Sequence, residues 1–130
     1  MKKLLGFLML VCLFIQNTPD AIAKNMYVME ANSKGFSIVR TGKPSRKDFR
    51  ELCKNGVRKM IVMSGNGSIE RKYAASECPG FEVIYDKKQS SLVPMSIEFL
   101  NFFDQELQKA IDGNYGIAFR CNCGCHRTGR

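Results

Sequence analysis

The apolar residues of the chain fall into three patterns. An unbroken run spans Leu4 to Ile15; short, mostly apolar stretches recur at Val57 to Met63, Phe81 to Tyr85 and Tyr115 to Phe119; and a helical stripe lies between Pro94 and Gly113. The first run follows Lys2 and Lys3 and precedes Ala21-Ile22-Ala23, the order of a charged n-region, an apolar h-region and a small-residue cleavage site. Residues 1–23 are therefore read as a signal peptide, and residues 24–130 as one domain. The run is shorter than the roughly 20 residues of a membrane span, and the polar Gln16 to Asp20 follows it. No stable membrane anchor is expected after cleavage. Val11 is too large to precede a lipidated Cys12, so the expected location is periplasmic or extracellular.

Within the domain, Met26 to Glu30 and Phe36 to Arg40 read as strands joined by the turn-rich Asn32-Ser33-Lys34-Gly35. Ser45 after Pro44 can cap a helix, Asp48 sits where a negative charge favours its first turn, and Gly56 can end it. Val57 to Met63 then reads as a buried parallel strand. A short helix over Glu70 to Glu77 stops at Cys78-Pro79-Gly80, and Phe81 to Tyr85 is the next strand. In the long helix, Ile97, Leu100, Phe103, Leu107, Ala110 and Ile111 recur at helical spacing and are assigned to the core. Tyr115 to Phe119 is a last strand that delivers the chain to Cys121. Alternating strands and helices predict an α/β domain of three layers, with a mainly parallel sheet flanked by helices. Ligand chemistry in such sheets gathers beyond the carboxyl ends of the strands, where Cys121 falls.

Loss of the signal peptide removes Lys2, Lys3 and Asp20 and takes the formal net charge from +8 to +7. A basic exported domain suits anionic partners such as phosphorylated protein or a small polyanionic phosphoester. Nucleic acid is not expected, because the chain lacks an Arg-rich helix and a series of stacking aromatics. Of six cysteines, five remain without Cys12, an odd number that leaves at least one thiol over. Cys53 and Cys78 are either a pair or two small buried apolar residues.

The chain ends Cys121-Asn122-Cys123-Gly124-Cys125-His126-Arg127-Thr128-Gly129-Arg130. Three readings compete for this loop. In the first, Cys121 is a nucleophile, the amides of Asn122, Cys123, Gly124, Cys125, His126 and Arg127 cradle an anion, and Arg127 clamps two phosphoryl oxygens in a bidentate fork. In the second, Cys121, Cys123, Cys125 and His126 bind a metal; the alternating spacing is unlike the two-residue gaps of structural zinc knuckles, and no second Cys/His pair exists. In the third, they are ordinary loop residues. The preceding strand and the following Arg-Thr-Gly favour the first, with no metal and no cofactor.

Cys121, Gly124, Arg127, Thr128 and Gly129 match in register the Cys-x-x-Gly-x-x-Arg-Ser/Thr-Gly signature of the cysteine-dependent protein tyrosine and dual-specificity phosphatases. The chain resembles that family. The segment Phe36 to Ser45, with the helix ending Cys53-Lys54-Asn55-Gly56-Val57, is similar to the start of its compact bacterial and plant-type members. The resemblance implies a phosphotyrosine-phosphatase-like fold, attack by Cys121 on phosphorus, phosphoryl binding by Arg127 and a Thr128 hydrogen bond to the departing sulfur. It also implies an Asp on the loop between a strand and the long helix, acting first as acid and then as base. Asp86, 35 residues before Cys121, holds that place; Asp104 and Asp112 fall on the long helix or its end.

The chain departs from the family at Arg120, where His is usual, and in the extra thiols of Cys123 and Cys125, read as small side chains of a tight loop. His126, the sole His, is given no catalytic role. The helix that follows the loop in this family, and the helices after it, are missing from the 130 residues. The expectation is therefore an incomplete phosphatase domain that folds marginally and turns over little by itself. An inositol-phosphate phosphatase of the same fold, a catalytically dead anion-binding fragment and a rhodanese-like sulfurtransferase are the alternatives.

Overall fold

The computed structural model describes residues 26–124. The expected signal peptide, 1–23, and the end of the loop, 125–130, lie outside the described residues. Within them the chain runs β1 (Tyr27–Ala31), β2 (Ser37–Thr41), α1 (Arg46–Lys54), β3 (Val57–Val62), α2 (Ser68–Glu77), β4 (Glu82–Tyr85), α3 (Ile97–Gly113) and β5 (Gly116–Arg120). Every expected element is present, with ends that coincide or differ by up to three residues.

Local chemistry explains these boundaries. The Asn32 side chain accepts from the amides of Lys34 and Phe36 at 2.9 and 3.1 Å and turns β1 into β2. At the start of α1, Ser45 Oγ accepts from the Asp48 amide at 3.2 Å while Asp48 Oδ2 accepts from the Ser45 amide at 2.9 Å. Asp48 thus closes a reciprocal capping box, a stronger device than a favourable charge. Ser96 caps α3, accepting from the Phe99 amide at 3.1 Å, so the helix starts three residues after Pro94, and Asn114 ends it in the left-handed conformation.

The five strands form one sheet in the order β1-β2-β5-β3-β4. Only β1 is antiparallel to its neighbour; β2, β5, β3 and β4 run parallel. The last strand is central, and helices cover both of its faces. Alternation along β3 separates two cores: Met60 and Val62 face Phe49 and Leu52 of α1 and Ala74 of α2, whereas Ile61 and Met63 face Phe99 and Ala110 of α3. At Gly116 a Cβ would stand 2.5 Å from Ser37 Oγ and 3.0 Å from Val57 Cγ2, so only glycine lets β5 lie between β2 and β3.

Two expectations need correction. The buried face of α3 carries Phe99, Phe102, Phe103, Glu106, Leu107 and Ala110, while Ile97, Leu100 and Ile111 are 64, 44 and 39 % exposed. Two effects rotate the helix. Its phenylalanines offer larger apolar surfaces and meet Tyr85 and Phe119 at ring separations of 5.0 to 5.6 Å. Glu106 on the same face is paired with Lys59 of β3 at 2.8 Å and with Lys109 at 2.6 Å. Cys53 and Cys78 are a disulfide between the ends of α1 and α2, which excludes the reading of two separate apolar residues.

Burial pushes the Glu106 carboxyl up, but the hydrogen bonds from Lys109 and Lys59 outweigh it and leave it below its usual value of 4.5. A carboxyl lowered by folding contributes stability above its unfolded pKa and loses it as pH falls through the folded one. Part of the drop in melting temperature below about pH 4.5 should therefore vanish in Glu106→Gln, which is expected to be less stable by about 2 kcal/mol at neutral pH. Thermal melts between pH 7 and pH 3 check both.

Candidate active site

The carboxyl ends of β2, β5, β3 and β4 bring four loop segments together, and backbone hydrogen bonds fix their order. The Cys121 amide donates to the Thr41 carbonyl at 3.3 Å, the Lys43 amide to the Asn122 carbonyl at 3.2 Å, the Met63 amide to the Arg120 carbonyl at 2.8 Å and the Gln89 amide to the Met63 carbonyl at 2.8 Å. The loop after β5 is thus held from one side by the end of β2 and from the other by β3. Gly42 is part of that hold: a Cβ there would come within 3.1 Å of the Cys123 backbone.

Cys121 leaves β5 with its thiol buried. The Gly124 amide turns back onto it and donates to Sγ at 3.2 Å, with Gly124 at φ +74°. A loop amide aimed at sulfur is the arrangement that stabilises thiolate charge. Cys123 is disulfide-bonded, which corrects its reading as a plain small side chain and removes its thiolate from any metal set with Cys121. Cys125, His126, Arg127 and Thr128 lie outside the described residues.

Beneath the loop is a buried ion pair. Arg120 Nε reaches Glu70 Oε1 on α2 at 2.6 Å, and a second guanidinium nitrogen reaches the same oxygen at 2.5 Å. The remaining nitrogen donates to Ser64 Oγ and, at 3.2 Å, to Asn122 Oδ1. Arg120 is 4 % exposed and Glu70 1 %. One fork therefore joins β5, α2, the turn after β3 and the loop itself. Thr41 Oγ1 and Glu70 Oε2 are buried with no hydrogen-bond partner among the described residues.

Asp86 stands at the same end of the sheet, immediately after β4 and separated from β5 by β3. Its Oδ2 accepts from Arg71 at 2.7 Å and from the Gly67 amide at 3.4 Å. The Arg71 hydrogen bond, with the Gly67 amide behind it, holds the Asp86 carboxyl below its usual range. Beside it a cavity of about 560 Å³ is lined by Asp86, Lys87, Tyr85, Phe99 and Phe102 among others. The site thus gathers Cys121, Asn122, Cys123 and Gly124 in one loop, with Asp86 across one strand and committed to a basic partner.

A scan against protein-family models matches none of them, and a search of the curated proteins also finds no match.

Sequence reasoning missed Glu70, Ser64 and Arg71. Glu70 lies in the first turn of α2, where an acid is ordinarily a solvated, dipole-favoured charge. The only available signal was Arg120 itself, an obligate cation at the end of a strand otherwise built for burial, which requires an acid from some other element.

Proposed function

We propose that the chain is a phosphomonoester hydrolase, of the protein tyrosine or dual-specificity kind, working through a cysteinyl-phosphate. One observation carries this reading: the buried thiol of Cys121 at the carboxyl end of the central strand, with the Gly124 amide turned onto its sulfur. In the first step Sγ attacks phosphorus, an S–P bond forms, and the ester P–O bond breaks with its electron pair leaving on the alcohol or phenol oxygen, which takes the Asp86 proton. In the second, Asp86 accepts a proton from water as its oxygen attacks phosphorus and the thiolate departs with a hydrogen bond from Thr128. Arg127 and the loop amides bind the phosphoryl oxygens through both steps. The α/β sheet with helices on both faces supports a phosphotyrosine-phosphatase-like fold, and the Cys53–Cys78 disulfide supports export to an oxidising compartment. The test is hydrolysis of an aryl phosphate by the purified protein and its inhibition by vanadate; no release of phosphate above that of a Cys121→Ser control would refute the reading.

A second reading has its own observation. Disulfide-bonded Cys123 places oxidised sulfur within the loop, which favours a non-catalytic anion-binding module. Titration of thiols with and without reductant, run beside the phosphate assay, separates the two.

The Arg71 pair gives the proposed acid a pH signature. A general acid works in its protonated form, and Arg71 stabilises the ionised one. Arg71→Ala should raise the Asp86 pKa and move the alkaline limb of kcat/KM to higher pH. Asp86→Asn should slow hydrolysis and abolish that limb. An alkaline limb that stays in place in Arg71→Ala would remove Asp86 from the acid role.

A further inference from the structure

The buried pair under the loop is more than a brace, because it is chemically lopsided. Arg120 uses all three nitrogens of its guanidinium, on Glu70, Ser64 and Asn122. Glu70 answers with one oxygen. Its Oε2 is buried and unpartnered among the described residues, so part of the carboxylate charge is left unscreened in a region of low dielectric. Arg120 precedes Cys121 in the chain and donates to Asn122, the residue that follows it. Other charges near the loop are the surface cations Lys43, whose amide is bonded to Asn122, and Lys88, which packs over Gly65, together with the Arg71–Asp86 pair one strand away. Arg127 and His126 of the same loop lie outside the described residues. Among the described residues near the loop, Arg120 and Glu70 are the buried pair, and they are the ones water screens least.

We propose that the Arg120–Glu70 pair sets the charge state of Cys121 with its two members opposed: Arg120 favours the thiolate, and Glu70 restrains it. The inference rests on Cys121 being the nucleophile proposed above. Neither residue touches substrate; both are positioning residues that act through the thiol and its loop.

The experiment is a pH titration of thiolate ultraviolet absorbance on the full chain, with the signal of Cys121→Ser subtracted so that only Cys121 is read. Glu70→Gln is expected to lower the midpoint and Arg120→Gln to raise it, each by an amount that changes the thiolate fraction about tenfold at a fixed lower pH. Arg120→Lys, which keeps the charge and loses the fork, should return the midpoint to near that of the unaltered protein. A merely structural pair moves both variants in the same direction or neither. Either result, with the fold intact by circular dichroism, overturns the proposal. If Arg120→Gln does not fold, Glu70→Gln and Arg120→Lys decide: a Glu70→Gln midpoint that is unchanged or higher overturns it equally. The titration needs no turnover. Opposed shifts in a protein without phosphatase activity would therefore keep this inference and reject the catalytic reading.

Discussion

Cys121→Ser is expected to reduce aryl phosphate hydrolysis on the order of 10³-fold or more, while inorganic phosphate or tungstate still binds. The size of the loss follows from the nucleophile. A serine hydroxyl at this position stays protonated at neutral pH, and the hydrogen bond received by Cys121 Sγ comes from an amide, a group that stabilises an anion but cannot remove a proton. Binding should survive because the loop is shaped by its backbone: by the Lys43 amide on the Asn122 carbonyl, the Cys121 amide on the Thr41 carbonyl and the close approach of Gly42. Steady-state kinetics and calorimetry with tungstate read the two halves separately. A variant that keeps its rate would exclude covalent catalysis through Cys121; one that loses binding together with rate would mean that the thiol shapes the loop.

The second large effect concerns stability. Opening the Cys53–Cys78 disulfide, by reductant or by Cys53→Ser with Cys78→Ser, is expected to cost about 3.5 kcal/mol for a loop of 25 residues. In a domain of this size that corresponds to a melting temperature lower by about 15–25 °C. The bridge joins α1 to α2, the two helices that cover one face of the sheet, and Glu70 of α2 is the partner of Arg120. Conditions reducing enough to open it therefore loosen the helix that supports the loop, while mild reductant keeps Cys121 as a thiol. Thermal melts across a series of reductant concentrations should show a step when the bridge opens. A double-serine variant that melts with the unaltered protein would show that the bridge contributes nothing.

Element order and strand direction were readable in the sequence because each depends on neighbours in the chain. Ser45 with Asp48, Asn32 before its turn and Gly56 after α1 are local signals, and the structure uses each of them. The rotation of α3 was not readable from helical spacing alone. Its aliphatic stripe and its aromatic face differ by about one position, and the choice between them depends on Tyr85, Phe119 and Lys59, which lie on other strands. The loop cysteine and Asp86 could be singled out as candidates because both sit at strand ends, where α/β domains gather their chemistry. The partners of Arg120 could not, because Glu70 is 50 residues away in the chain and Ser64 is 56.

The place of β5 has a consequence for how the molecule comes to be. Without it, β2 and β3 have no common neighbour, and the sheet is two separate pieces: a hairpin of β1 and β2, and a pair of β3 and β4. Among the described residues β5 supplies the pairing that joins the two halves, and Gly116 lets it fit between them. Such non-local pairing is slow to form and leaves strand edges bare in the meantime. The segment that brings the thiol is thus also the one that joins the two parts of the sheet, so the burial of Cys121 depends on the same pairings that unite them.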